Sequence, residues 1–172
     1  MHRVLIIGSP GAGKSTLSRA LATRTGLPLY HMDRLHWLPG WIERDRDEAF
    51  GEVRKVLAQD RWIIDGNYGS TLPERVKRAD TVVWLDYPTA QCLWRVFRRR
   101  WQYRGTNRPD MTEGCNENIN WEFLHFVTTF RRSWHGRNGR ALRDFAGVVI
   151  KLRSQRETDE WLASLAARAV LA

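Results

Sequence analysis

The chain has 172 residues, of which 42% are hydrophobic and 27% are charged. This composition predicts a single globular domain and excludes a chain that is disordered throughout. Basic residues outnumber acidic ones by 28 to 19, and the resulting net charge of +9 favours anionic partners. No apolar run approaches the roughly 18 residues of a membrane-spanning helix. Because the two cysteines make neither a disulfide scaffold nor a zinc site, we expect a cytoplasmic protein with free thiols.

Short apolar runs typical of buried strands alternate with stretches of helical periodicity. The predicted strands are Val4–Ile7, Pro28–His31, Trp62–Ile64, Thr81–Leu85 and Val148–Leu152. The predicted helices are Ser15–Thr25, Asp45–Gln59, Ala90–Tyr103, Asn120–Trp134 and Glu157–Ala169. This order predicts a three-layer α/β fold in which a five-stranded parallel sheet has helices on both faces. Ligands of such sheets bind beyond the carboxyl ends of the strands.

The segment from Gly105 to Asn118 interrupts this alternation. It contains Gly, Pro, Asn, Thr and Asp residues and has no apolar period, so it is predicted to be an exposed loop. Loops of this length inside a compact domain are usually functional when they are ordered. We therefore expect one domain over residues 1–172, with a lid inserted at about 105–118.

A phosphate-binding motif follows the first predicted strand. The residues from Gly8 to Ser15 match the pattern G-x-x-x-x-G-K-[ST] at every fixed position, and they open the first predicted helix as the pattern requires. In such a loop the backbone N–H groups surround a phosphate, the lysine reaches the β- and γ-phosphates, and the serine hydroxyl joins the Mg²⁺ shell. The residues predicted to bind ATP here are Gly8, Gly11, Ala12, Gly13, Lys14, Ser15 and Thr16.

Two aspartates end predicted strands at the edge of the sheet where ligands bind. Asp65 follows Trp62–Ile64, and Asp86 follows Val82–Leu85. A carboxylate in this position holds magnesium through water in P-loop NTPases. We assign Asp65 to the magnesium site together with Ser15 and keep Asp86 as a competing candidate. Either aspartate could instead merely cap a turn.

The residues after the second predicted strand are candidates for an acceptor site. Asp33 could take a proton from an acceptor hydroxyl, and Arg34 could bind an acceptor phosphate. The alternative is that Asp33 caps a short helix over residues 34–38. Both interpretations are kept, since one carboxylate can serve both purposes.

The predicted helix over residues 90–103 divides into two faces. One face carries Arg95, Arg98, Arg99 and Gln102, and the other carries Leu93, Phe97 and Trp101 as its core side. In the next helix Arg132 lies away from the predicted buried stripe. Because arginines without acidic neighbours repel one another, we favour phosphate recognition over a solvated charged face. Arg99 and Arg132 are the arginines predicted to stabilise the transferred phosphoryl group.

The order of these features resembles that of the adenylate-kinase-like small kinases. The similarity is carried by the phosphate-binding motif, the strand-end Asp33, the segment Ile64–Tyr68 and the arginine helix. More narrowly, the chain resembles the bacterial P-loop proteins called DNA topology modulation proteins. The residues that carry this narrower similarity are Arg108–Met111, Glu113–Cys115 and Trp121–Leu124.

The resemblance implies roles for particular residues. In adenylate kinases the aspartate of an Asp-Gly-Phe-Pro-Arg segment serves the magnesium, and residues 65–68 stand in its place here without the Pro-Arg that helps to bind AMP. On this basis Asn67 and Tyr68 are expected at the acceptor. The paired arginines of the family, one over the adenine of ATP and one on its phosphates, correspond by spacing to Arg95 and Arg99. Asp33 resembles the acceptor-side aspartate of shikimate- and gluconate-type kinases.

These observations favour an ATP- and Mg²⁺-dependent phosphotransferase that acts on a small acceptor, with a nucleotide or nucleoside as the favoured class. One alternative is a kinase of a non-nucleotide metabolite, similar to shikimate and gluconate kinases. Another is a nucleic-acid-associated P-loop NTPase that affects DNA topology. Because no nucleic-acid-binding motif occurs, we expect any such binding to be weak and non-specific. The oligomeric expectation is a monomer or small homo-oligomer.

Overall fold

Seven strands and seven helices are assigned in the computed structural model, which describes residues 1–104, 106, 110–115 and 119–170, with side chains as far as Leu165. In chain order they are β1 (Arg3–Gly8), α1 (Lys14–Thr25), β2 (Leu29–His31), α2 (Met32–His36), β3 (Trp37–Leu38), β4 (Ile42–Glu43), α3 (Arg46–Leu57), β5 (Trp62–Asp65), α4 (Leu72–Arg78), β6 (Thr81–Leu85), α5 (Thr89–Gln102), α6 (Trp121–Ala141), β7 (Val148–Leu152) and α7 (Gln155–Val170). Within this described part, no helix is both long enough and apolar enough to cross a membrane.

Five of the strands form a parallel sheet in the order β2-β5-β1-β6-β7. The register places Ile6 of β1 beside Asp65 of β5, and Asp65 beside His31 of β2. Because β1, β2 and β5 are parallel neighbours, the phosphate-binding loop after β1 lies at the same carboxyl edge of the sheet as Asp33 and Asp65. The predicted five-stranded parallel α/β fold is confirmed.

The central strand β1 is buried on both faces, because its side chains alternate between two cores. Val4 and Ile6 pack in a cluster with residues of α1, α5 and α7, while Leu5 and Ile7 pack with residues of α3 and α4. A strand buried in this way appears in the sequence as an unbroken apolar run. This is why Val4–Ile7 was recognisable as a strand from the sequence.

Several elements differ from the sequence prediction. Helix α6 continues seven residues past the predicted end at Trp134, reaching Ala141, where it packs against α4. Gly136 and Gly139 weaken the apolar period there, so tertiary contact decides the helix length. Helix α4 and the antiparallel hairpin β3–β4 were not predicted at all.

Of the core side predicted for α5, Leu93 packs against the core, but the prediction is wrong for Phe97 and Trp101. Phe97 is 53% exposed and Trp101 is 80% exposed, while Cys92 and Val96 are the buried residues. Cys92 and Val96 are four residues apart and form the stripe that faces the sheet. The large aromatic residues suggested a core from their type, but α5 instead buries Cys92 and Val96, which pack in the core cluster beside β1 and β6 and lie against Gly11 of the phosphate-binding loop.

The predicted exposed loop is only partly described, since Gly105, residues 107–109 and residues 116–118 lie outside the described residues. Of the described part, Asp110, Met111 and Cys115 are buried. The Thr112 hydroxyl donates a hydrogen bond of 2.7 Å to the Trp37 carbonyl oxygen. The prediction of an exposed segment without apolar contacts is therefore wrong for residues 110, 111 and 115. Cys115 bonds to the backbone of the β3–β4 hairpin, which the sequence did not reveal, and Asp110 lies 3.8 Å from Arg19 Nη1 of α1.

Asp86 follows β6 and contacts the side chains of Arg131, Lys151 and His135. Its Oδ1 lies 3.2 Å from Arg131 Nε and 2.9 Å from His135 Nε2, and its Oδ2 lies 3.2 Å from Lys151 Nζ. Burial by itself would raise the pKa of Asp86, but hydrogen bonds from His135 and Lys151 outweigh it and hold the pKa below the usual 3.8. This carboxylate fastens α6 and β7 to the end of β6.

We expect Asp86→Asn to lower the free energy of unfolding by about 1–3 kcal/mol, because a charged acceptor shared by three donors becomes a neutral amide. The measurement is urea denaturation at neutral pH. Asp60→Asn, at an exposed turn position, is the matched control and should change stability by less than about 0.5 kcal/mol. Equal effects of the two substitutions would contradict a structural role for Asp86.

Candidate active site

A cleft of about 970 Å³ opens at the carboxyl edge of the sheet. It brings together most of the residues that the sequence singled out, namely Gly11, Ala12, Gly13, Lys14, Ser15, Thr16, Asp33, Asp65, Asn67, Tyr68, Arg95 and Arg99. The positions come from the ends of β1, β2 and β5 and from the inner face of α5. The sequence prediction that Arg95, Arg98, Arg99 and Gln102 share one face agrees with the structure, since all four line this cleft.

The phosphate-binding loop adopts a conformation that requires glycine. Gly11 has a φ of +79°, and a Cβ atom there would lie 2.3 Å from the carbonyl oxygen of Cys92. Lys14 folds over the loop, and its Nζ donates hydrogen bonds to the carbonyl oxygens of Gly8 at 3.0 Å and Ser9 at 3.1 Å. Burial lowers the pKa of Lys14, with a further contribution from the charge of Arg99, while Asp33 and Asp65 oppose the shift. Asp33 and Asp65 thus lie close enough to Lys14 for their charges to act on it.

Asp65 is buried at the end of β5 and is held from two sides. Its Oδ2 accepts a hydrogen bond of 2.8 Å from the Ser18 hydroxyl, and its Oδ1 lies 2.9 Å from Nδ1 of His31. The Ser15 hydroxyl lines the same cleft. Hydroxyl and carboxylate oxygens are the donors that Mg²⁺ prefers, so Ser15 and Asp65 fit the ion. Asp86, the competing candidate, does not line the cleft and is surrounded by cations.

Within the described residues no group of three or more His, Cys, Asp or Glu side chains could hold a metal by itself. In nucleotide sites Mg²⁺ takes most of its ligands from phosphate and water, so one or two protein oxygens such as those of Ser15 and Asp65 are enough.

Arg95 connects α5 to the phosphate-binding loop. Its Nη1 donates to the Ala12 carbonyl oxygen at 3.2 Å, and its Nη2 donates to Gln155 Oε1 at 2.9 Å. The guanidinium carbon lies 5.0 Å from the centre of the Tyr87 ring. Arg99 lies one helical turn further along the same face and borders the cleft near Lys14.

Tyr68 and Asp33 form the far wall of the cleft. The Tyr68 hydroxyl donates a hydrogen bond of 2.8 Å to Asp33 Oδ1, and its ring lies 4.7 Å from the ring of His36. Burial raises the pKa of Tyr68, and the neighbouring charge of Asp33 raises it further, so the hydroxyl remains a donor. Tyr68 has a φ of 27°, a left-handed conformation that costs free energy and is retained where surrounding contacts enforce it.

The side chain of Asn67 is committed to the phosphate-binding loop. Its Oδ1 accepts from the Gly8 N–H at 3.1 Å, and its Nδ2 donates to the Gly8 carbonyl oxygen at 2.8 Å. Gly8 itself does not line the cleft. Asn67 was predicted to lie at the acceptor. It lines the cleft, and its amide also ties the loop after β5 to the end of β1.

Arg75 on α4 supports this loop and was missed by the sequence analysis. It is fully buried and donates to the Thr71 hydroxyl and to the carbonyl oxygens of Gly66, Asn67 and Tyr68. Burial lowers its pKa to about 9. In the sequence it is one of several charged residues in Pro-Glu-Arg-Val-Lys-Arg. Nothing in that stretch distinguishes it from Lys77 and Arg78, the cations that follow it.

Two predicted site residues are not brought to the cleft. Arg34 on α2 is exposed and does not line it, so the predicted clamp on an acceptor phosphate is not formed. Arg132 on α6 is likewise exposed and outside the lining, and the role predicted for it at the phosphoryl group is not supported by this position. The sequence assigned Arg132 correctly to an unburied face of α6. The residues of α6 that line the cleft are Phe123, Phe126 and Trp134.

We expect Arg75→Met to cost about 3 kcal/mol or more in the free energy of unfolding, because several buried carbonyl oxygens lose their donors together. The measurement is equilibrium denaturation of the purified chain. Lys77→Met, at an exposed position on the same helix, controls for the loss of one positive charge on α4. A cost below about 1 kcal/mol for Arg75→Met would show that water replaces the guanidinium.

Comparisons with known proteins place this cleft in context. The shikimate kinase of Rhodococcus jostii (strain RHA1) is 30% identical over 108 residues, and the match spans 55% of this chain but only 64% of that protein. The structure of shikimate kinase from Acinetobacter baumannii in complex with shikimate matches with a TM-score of 0.56 at 18% identity, covering 99% of this chain and 93% of that one. Deoxyadenosine kinase from M. mycoides with bound dCTP matches with a TM-score of 0.51 at 14% identity, covering 95% and 98% of the two chains. No family model matches the sequence.

The parallel sheet, its strand order and the phosphate-binding loop define a P-loop α/β protein. Within that class the chain has the fold of the shikimate-kinase-like P-loop kinases, and its sequence is similar to theirs over about half of its length.

Proposed function

We propose that the protein is a kinase that transfers the γ-phosphoryl group of ATP to a hydroxyl group of a small molecule. The observation that carries this proposal is the meeting of a complete phosphate-binding loop with Asp33 in one cleft. A P-loop by itself implies only a bound nucleoside triphosphate. Asp33 lies across from Lys14, and its carboxylate can receive the proton that an acceptor hydroxyl loses when it attacks the phosphorus.

The phosphates of ATP would lie on the loop, where backbone N–H groups, the start of α1 and Lys14 all present positive charge. Arg95 lies beside Tyr87 and Gln155 and would hold the nucleotide on the side of its base. Arg99 would contact the phosphates and stabilise charge on the transferred group. Ser15 and Asp65 would hold Mg²⁺, which when bound neutralises phosphate charge.

The acceptor would enter beside Asp33 and Tyr68. Asp33 would accept the proton of the attacking hydroxyl, while the Tyr68 hydroxyl keeps the carboxylate oriented through Oδ1. A nucleotide or nucleoside is the favoured acceptor class, and similarity to a deoxyadenosine kinase is in keeping with it. Similarity to shikimate kinases favours the alternative, a hydroxylated metabolite.

We include in the proposal a cover over the acceptor side of the cleft. Asp110 and Met111 line the cleft, and Cys115 holds the β3–β4 hairpin by accepting from the Trp41 N–H at 3.3 Å and donating to the Leu38 carbonyl oxygen at 3.4 Å. Residues 110–115 and the hairpin would therefore exclude water as one unit, which favours transfer to the acceptor over hydrolysis.

Lys14→Ala should lower kcat/KM for phosphoryl transfer by about 10²–10³-fold while leaving thermal unfolding unchanged, since the lysine stabilises phosphate charge. Because the pKa of Lys14 is lowered, wild-type affinity for ATP should fall as pH rises, beginning below the ordinary lysine value of 10.5. Lys14→Arg keeps its charge throughout that range and should lack this decline. Calorimetric titration of a non-hydrolysable analogue across pH measures both proteins, and turnover of Lys14→Ala near the wild-type level would contradict the proposal.

The second candidate function is a nucleic-acid-associated NTPase, which the net charge of +9 favours. Several arginines and Lys14 line the cleft, however, and Asp86 engages two further cations and a histidine. We therefore expect duplex DNA to bind without sequence preference, with affinity falling at least about tenfold between roughly 50 and 200 mM salt. Fluorescence anisotropy with two unrelated duplexes tests this, and tight, sequence-selective binding at physiological salt would favour the second candidate.

A further inference from the structure

Positive charge is unevenly distributed around the cleft. The cationic side chains that line it belong to α1 and α5 and are Lys14, Arg19, Arg24, Arg95, Arg98 and Arg99. We call the opposite part the acceptor wall and define it as the lining residues Asp33, Trp37, Trp41, Asn67, Tyr68, Gly69 and Trp134. Among these seven residues the carboxylate of Asp33 is the one charge. Arg137 does not line the cleft, but its guanidinium lies against Gly69 and 4.9 Å from the centre of the Trp134 ring.

The acceptor wall is instead rich in flat rings. Trp37 and Trp41 contribute indoles from the β3–β4 hairpin, with ring centres 5.3 Å apart in an edge contact. Trp134 enters from α6 and comes close to the loop after β5, since a Cβ atom on Gly69 would lie 3.2 Å from its Cη2. With the ring of Tyr68, the wall presents aromatic surface from three separate elements.

The ring of Trp134 is held by contacts within the chain, and the two hairpin tryptophans are anchored through their backbones. The ring of Trp134 stacks on Phe130 with a centre distance of 5.3 Å and an interplanar angle of 9°, and the Arg137 guanidinium lies 4.9 Å from its centre. The carbonyl oxygen of Trp37 accepts from the Thr112 hydroxyl at 2.7 Å. Trp41 has a φ of 62°, a strained conformation that such contacts must enforce. Rings held in place lose little conformational entropy when a second flat ring packs on them.

An anionic acceptor would fit this wall poorly. Proteins recognise phosphates and carboxylates with arginine or lysine and with backbone N–H groups, and a buried anion without such partners is costly. The negative charge of a nucleoside monophosphate or a hydroxy acid bound against this wall would have Asp33 as its charged neighbour, and Arg34, the cation predicted to balance it, does not line the cleft.

We propose that the acceptor is an uncharged molecule with a planar ring and a free hydroxyl group, as in a nucleoside, and that Trp37, Trp41 and Trp134 select it. This specificity rests on the proposed phosphoryl transfer. The hydroxyl oxygen forms a bond to the γ-phosphorus of ATP, and the bond from that phosphorus to the β–γ bridging oxygen breaks. ADP leaves with the electron pair, and the hydroxyl proton passes to the carboxylate of Asp33.

The first test measures acceptor-dependent ADP release by the full chain with ATP and Mg²⁺, with products identified by mass spectrometry. The acceptors are purine and pyrimidine nucleosides, their 5′-monophosphates, shikimate and gluconate. At least one nucleoside should exceed its own monophosphate, shikimate and gluconate by about tenfold or more in kcat/KM. Faster transfer to shikimate, to gluconate or to a free hydroxyl group of a monophosphate would overturn this inference and leave the proposed function standing. Transfer to the phosphate group of a monophosphate would overturn both. ATP binding without transfer to any of these acceptors would overturn both.

The second test asks whether the aromatic residues of the acceptor wall determine the affinity for the nucleoside. Trp134→Ala should raise KM for the nucleoside about tenfold, in keeping with the contribution of one stacked aromatic ring, while the dissociation constant for the ATP analogue stays unchanged. Trp134→Phe keeps a flat ring and should restore most of the affinity, which a loss of folding would not allow. Trp121→Ala, in a tryptophan that is 80% exposed on the same helix and outside the cleft, is the matched control. An unchanged nucleoside KM in Trp134→Ala, or an equal rise in Trp121→Ala, would overturn the role of the wall.

Discussion

The pair of hydrogen bonds between Asn67 and the backbone of Gly8 is the constraint on which the site depends. It joins the end of β1, where the phosphate-binding loop begins, to the loop after β5, which carries Tyr68. Beside it, the register of β1 against β5 aligns Ile6 with Asp65. The phosphate-binding loop and the loop that carries Tyr68 are therefore fixed to each other, and neither can shift without breaking these hydrogen bonds.

Arg75 makes this arrangement possible at a considerable cost. A fully buried guanidinium loses its hydration, as its lowered pKa reflects. In return it supplies donors to three successive carbonyl oxygens that the tight turn after β5 directs inward. This loop holds Tyr68 in a left-handed conformation, in which the Tyr68 hydroxyl donates a hydrogen bond to Asp33. Structural stability and site geometry thus depend on the same side chain.

The net charge of +9 has two distinct uses in the fold. Lys14 and the arginines of α1 and α5 border the cleft and give it a positive potential suited to a triphosphate. Arg131, His135 and Lys151 surround Asp86 and fix α6 against β6 and β7. The position of α6 then decides which of its residues face the cleft, and these are the aromatic Phe123, Phe126 and Trp134 rather than Arg132.

The sequence by itself determined the α/β class, the five parallel strands, the phosphate-binding loop and the arginine face of α5, because each depends on local periodicity or on a motif of fixed spacing. It could also nominate Asp33 and Asp65, since strand ends of a parallel sheet converge. Only the tertiary structure separated Asp65 from Asp86, turned Asn67 toward Gly8, and placed Arg75 under the loop. These outcomes depend on contacts between residues far apart in the chain, and the burial of one arginine or the exposure of another leaves no periodic signal in the sequence.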